Sequence, residues 1–116
     1  MSMTLVGSVQ AHHSFAMFDQ TKTLSVSGTV KEFQFTSPHA WVQVLVTDDK
    51  GQVVEWGFEM GSSAALSRGG WKKNTLKAGD KITVTFNPLK DGNPAGSYKS
   101  AVRDNGEPVG PQRAAQ

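Results

Sequence analysis

Cysteine is absent from the 116 residues, which excludes disulfides and thiolate metal sites. An excess of either charge is also missing. The 12 basic and 10 acidic residues leave a formal net charge of +2, too small to dictate a polyanionic partner. No apolar run approaches the ~20 residues that a membrane-spanning helix needs, so no span is expected. The chain has no Gly-x-Ser-x-Gly elbow, no phosphate-cradling glycine loop and no thiol nucleophile. These absences argue against catalysis and leave binding as the expected class of function.

What the chain does carry is turn chemistry and alternation. Twelve glycines and five prolines imply many turns, and 37% hydrophobic residues must build an economical core. One domain of this length buries roughly 65% of the surface its unfolded chain exposes, enough to stand without staples. From Thr23, apolar Leu24, Val26 and Val30 alternate with polar residues, the period of a strand with one buried face. The phase then slips, because Phe33 and Phe35 fall on the other parity, as a β-bulge produces. Gly28 marks a bend or a close approach of another strand. Residues 41–47 read as a central strand, apolar on both faces except for Gln43. Asp48 to Gly51 is turn chemistry, and Val54, Trp56, Phe58 and Met60 alternate along a third strand.

The period then changes. Ser62 or Ser63 caps a short helix that Gly69 and Gly70 end, and Trp71 follows as a plug for one end of a barrel. Ile82, Val84 and Phe86 face inward on a fourth strand, and a fifth runs from about Tyr98 to Arg103. Three strands, a short helix and two strands is the order of an OB-like barrel. The expected fold is therefore all-β, a small five-stranded OB-like barrel with one short helix between strands three and four. The expected domain covers residues 12–107. Residues 1–11 read as the residual tail of an export signal or a disordered leader, and residues 108–116, rich in Pro, Gly and Gln, as a disordered tail.

Two of the three histidines, His12 and His13, follow Val9-Gln10-Ala11, whose small residues suit a signal cleavage site. A cut after Ala11 makes His12 the N-terminus, where α-amine and imidazole chelate one ion; a cut after Gln10 places a histidine third, the amino-terminal copper and nickel motif. Imidazole suits copper, zinc and nickel. His39 is the third candidate ligand, with Glu59 and Asp19 as oxygen ligands or as groups that orient an imidazole. The alternative is that the paired histidines are a polar lead-in and His39 bonds a loop carbonyl.

Several landmarks occur together: His12-His13-Ser14-Phe15 with Asp19, Gly28-Thr29-Val30, Pro38-His39-Ala40-Trp41, Trp56-Gly57-Phe58-Glu59, Gly70-Trp71, Leu76 to Asp80, Asn87-Pro88 and Asp91-Gly92. In this the chain resembles a functionally uncharacterised family of small exported bacterial proteins, over residues 12 to about 110. The resemblance implies export to the periplasm (or secretion) and a small β-barrel; it implies no activity. The usual long apolar signal core of that family is missing here.

A second reading is an OB-type module for an oligosaccharide, small molecule or protein. Such barrels bind across strands two and three and the loops beside them, and Trp41, Trp56, Phe33 and Phe35 are the candidates for stacking. Nucleic acid is not expected as a ligand of an exported protein. Trp56 shares parity with Val54 and Phe58 and is expected in the core.

Overall fold

The structure, a computed structural model, describes residues 15–111. A single 3-10 turn, Phe15–Met17, precedes β1 (Leu24–Gln34), β2 (Trp41–Thr47), β3 (Val53–Glu59), α1 (Ser63–Arg68), β4 (Lys81–Pro88) and β5 (Ala95–Arg103). The strands close into a barrel in the order β1-β2-β3-β5-β4. All neighbours are antiparallel except β3 and β5, which run parallel over Gly57–Glu59 and Ala95–Ser97. This is the all-β, OB-like barrel expected from the element order, with its one short helix between β3 and β4. No helix among the described residues is long and apolar enough to cross a membrane.

Barrel closure is written into β1. Its first half, Leu24–Thr29, pairs with β4, and its second half, Thr29–Gln34, pairs with β2. The register shifts between Val30 and Glu32, where the apolar phase slips in sequence. Lys31 is the extra residue, so Val30 and Phe33 can both face inward although they are three positions apart. Just before the shift, a Cβ on Gly28 would collide with the backbone carbonyl of Leu45. Only glycine lets β1 pass β2 this closely.

The inward residues form one core of Val30, Val42, Val44, Phe58, Ile82, Val84, Phe86 and Ala101, all buried. Phe58 and Phe86 lie 4.8 Å apart by ring centroids, and Trp56 contacts both at 5.9 and 5.3 Å. Aromatic pairs of this kind add about 0.5–1.5 kcal/mol beyond their buried area. Trp56 is thus a core residue, as its parity predicts. Trp71 packs between Phe33 at 5.9 Å and Tyr98 at 6.0 Å, at the end where α1 and Leu76 lie against the core.

Local signals explain the connections. The Ser62 side chain accepts from the Ala65 amide at 3.1 Å and caps α1, and the Gly69 amide closes it onto the Ala65 and Leu66 carbonyls. Asp48 Oδ1 accepts from the amides of Lys50 and Gln52, each at 2.9 Å, across a turn that Gly51 completes at φ +80°. Asp80 accepts from the Lys77 amide at 2.9 Å and from Arg103 at 3.3 Å, while Arg103 also donates to the Thr75 carbonyl at 2.9 Å. These bonds tie the loop before β4 to the end of β5.

Two boundaries differ from the sequence reading. β5 begins at Ala95 rather than near Tyr98, because its first residues pair with β3. The domain also does not end at residue 107. Pro108 bridges to Val102, the Val109 amide donates to Ala101 at 2.9 Å, and Val109 is only 4% exposed. Composition argues for disorder here, but one apolar side chain with a core site overrides it. The corrected domain reaches at least Pro111, whose ring lies against Gly70. Residues 1–14 and 112–116, where the leader and the rest of the tail were placed, lie outside the described residues.

Candidate functional site

The loop between β1 and β2 brings one candidate histidine to a fixed place. Beyond Trp41 and Glu59 the β2–β3 pairing continues irregularly: Met60 donates its amide to Ala40, and Ala40 donates to Gly61, both at 2.8 Å. The Ser63 amide donates to Thr36 at 2.9 Å, and the Thr36 hydroxyl donates to the His39 carbonyl at 2.8 Å. His39 is therefore held over the end of β3 by main-chain bonds on both sides of it.

There His39 and Glu59 meet. The ring Nδ1 lies 3.0 Å from the Met60 carbonyl and 3.1 Å from Glu59 Oε2. A carbonyl oxygen only accepts, so Nδ1 is the donor, and in the neutral tautomer that fits this bond Nε2 has the lone pair. The imidazole is 46% exposed, whereas Glu59 is 8% exposed although its strand position faces outward. A buried carboxylate is costly unless it is paired; the imidazole N–H beside it is one partner. An imidazole tied through Nδ1 to a carbonyl and a carboxylate has the form of a metal ligand oriented by its surroundings.

The other candidate ligands are not assembled here. Asp19 accepts from the Thr21 hydroxyl at 2.6 Å and the Thr21 amide at 3.0 Å, and these bonds hold its carboxyl below the ordinary aspartate range. Its own amide donates to Pro88 of β4, which pairs with Gly96 of β5, which pairs with Phe58 of β3. With strands ~4.8 Å apart, these three steps put Asp19 about 14 Å from the Glu59 strand along the sheet. Among the described residues, no group of three or more histidines and carboxylates is placed to hold a metal ion. His12 and His13 lie outside the described residues.

The aromatic candidates divide between the two faces of the sheet. Phe33 pairs with Val42 and packs against the core, with Phe35 at 5.6 Å by ring centroids. Trp41 lies between Gln34 of β1 and Glu59 of β3 on the outer face of β2. The one-residue bulge decides this division, so Trp41 and Phe33 do not share a stacking platform. Sequence reasoning missed two glutamines on the outer face. Gln43 Nε2 donates to Gln34 Oε1 at 3.1 Å, while Gln43 Oε1 is buried with no hydrogen-bond partner. The available signal was that Gln43 is the polar exception in an apolar strand. Beside it, Gly57 leaves open space where a side chain would stand.

In comparison with known proteins, residues 2–99 match the model of a family of unknown function, DUF6152. No curated protein matches the chain.

Proposed function

The chain belongs to DUF6152, and we propose that it is a non-enzymatic exported binding protein that takes a transition-metal ion, copper before zinc or nickel, at His39. His12 and His13 complete the ligand set, and Glu59 positions the His39 ring. The observation that carries this reading is the placement of His39 Nδ1 against the Met60 carbonyl and Glu59 Oε2, which in the neutral ring turns Nε2 toward a metal ion as the coordinating atom. Asp19, whose carboxylate accepts from Thr21, is not a ligand and secures the segment that leads from the histidines.

The test is a copper(II) titration by calorimetry and electron paramagnetic resonance on two forms, one starting at Met1 and one starting at His12 with a free amine. Tight one-to-one binding confined to the second form makes signal cleavage the step that creates the site. His39→Ala then abolishes or greatly weakens that binding, and Glu59→Gln weakens it by about tenfold, the usual effect of losing an orienting partner. An affinity unchanged by His39→Ala removes His39 from the site. Equal, weak binding by both forms returns all three histidines to structural roles.

A second reading is favoured by the open lane at Gly57, on the outer face beside Gln43 and near Trp41. On this reading the outer face of β2 binds an oligosaccharide, small molecule or protein, with Trp41 stacking and the ligand lying in the lane at Gly57. Loss of glycan binding in Trp41→Ala, with copper affinity intact, separates it from the first.

A further inference from the structure

The segment that closes the domain hangs on one exposed turn. After β5 the chain reverses through Asp104-Asn105-Gly106 and runs back along the strand. The Arg103 amide donates to the Glu107 carbonyl at 2.7 Å, and the Gly106 amide donates to the Arg103 carbonyl at 2.8 Å. Pro108 then bridges to Val102, and the Val109 side chain enters the core. Gly110 lies so close to the Trp71 ring that a Cβ on it would stand 2.7 Å away. A change of main-chain length in this turn is therefore carried into the docking of Val109 and the cover over Trp71.

Asparagine followed by glycine is a pair at which such a change occurs without an enzyme. The next residue's main-chain nitrogen attacks the side-chain amide carbon and closes a five-membered imide, and glycine, with no Cβ, obstructs the approach least. The four asparagines differ in this respect. Asn87 and Asn93 precede proline, whose nitrogen has no proton to lose. Asn74 precedes β-branched Thr75. Asn105 precedes Gly106, and both are exposed. Asn105 Oδ1 accepts from the Glu107 amide at 2.9 Å. That donor draws electrons from the amide carbon and steadies the oxygen on which negative charge gathers during attack. The Gly106 bond to Arg103 must open first; it belongs to a solvent-exposed turn, the class of structure that opens at least cost.

We propose that Asn105-Gly106 is a site of spontaneous deamidation, and that its isoaspartyl product releases residues 107–111 from the barrel. The Gly106 nitrogen bonds to Asn105 Cγ, the Cγ–Nδ2 bond breaks, and the displaced nitrogen leaves as ammonia with the proton that Gly106 gave up. Water then opens the imide at one of its two carbonyls. Opening at the side-chain carbonyl leaves an aspartyl residue at position 105, with the main chain unchanged in length and an oxygen still facing the Glu107 amide. Opening at the main-chain carbonyl routes the chain through Cβ and Cγ, one carbon longer. The longer turn no longer matches the Arg103–Glu107 pairing, so the register that seats Val109 is lost. None of these residues belongs to the metal reading above.

The test is incubation of the full folded chain in mildly alkaline buffer with EDTA, followed by tryptic mass spectrometry. Cleavage after Arg103 and Arg113 isolates Asn105 from the other asparagines. That peptide should gain the mass that replaces an amide NH2 by OH, in aspartyl and isoaspartyl forms that separate by chromatography, while the Asn74 peptide stays unchanged. Asn105→Gln should abolish the gain, because the larger ring closes far more slowly. In the purified isoaspartyl chain the Val109 amide should lose its protection from hydrogen exchange, the Trp71 indole resonance should shift, and the urea midpoint should fall. Asn105→Asp, which has the new charge and the original chain length, should keep all three. Four results overturn the proposal: a mass gain confined to chain unfolded in urea; equal gain at Asn74; an isoaspartyl chain with the Val109 and Trp71 signals of the unmodified protein; or loss of those signals in Asn105→Asp as well.

Discussion

Val109 offers a direct test of where the domain ends. Its side chain is 4% exposed and belongs to the core cluster, whereas Val53, also a valine, is 64% exposed at the start of β3. Replacing Val109 with alanine removes two methyl groups from the interior. At ~0.8 kcal/mol per buried carbon this is about 1.6 kcal/mol of transfer free energy. The residual cavity raises the total to about 2 kcal/mol. The ordering entropy of the segment is common to both chains and cancels to first order. For a domain of this size the loss corresponds to roughly 6–12 °C in melting temperature. Val53→Ala, at an exposed position, should change stability by about 0.5 kcal/mol or less. Thermal unfolding by circular dichroism and urea titration of both variants decides the matter. If the two variants unfold together, Val109 is not docked in the core and the compositional expectation of a disordered tail is restored.

Gly28→Ala should cost about 1–3 kcal/mol or more in urea denaturation, because the new Cβ meets the Leu45 carbonyl, which is backbone and cannot swing aside. An unchanged midpoint would mean that β1 does not pass β2 so closely. Asp80 sets a pH dependence. Burial raises its carboxyl pKa, but the Lys77 amide and the Arg103 guanidinium outweigh burial and hold it below the ordinary 3.8. A depressed carboxylate stabilises the fold fully above its unfolded-state pKa, and that contribution is lost as pH falls through the native one. The stability difference between the native chain and Asp80→Asn should therefore be constant from about pH 5 to 8 and shrink below about pH 4. A difference that stays flat to pH 2 would refute the assignment.

Whatever depends on near neighbours along the chain was legible in the residues alone. Alternation marked the strands, the parity slip before Phe33 marked the bulge at Lys31, and Asp48 to Gly51 and Ser62 announced a turn and a helix cap. Each signal acts over two to four residues, the range of backbone sterics and local hydrogen bonds. The order of these elements was enough to reach the barrel, since few topologies close five strands with one short helix between the third and fourth. Tertiary structure decided what meets across the chain. His39 and Glu59 are twenty positions apart, and only the β2–β3 register places a buried carboxylate beside that imidazole. Trp41 and Phe33 look alike as aromatic candidates, yet a one-residue bulge sends them to opposite faces. Val109 sits in a stretch whose Pro and Gly content speaks for disorder, and only the vacancy it fills beside Trp71 and Ala101 holds it. Pairing register, facing and core occupancy are non-local, since each depends on strands that are far apart in sequence.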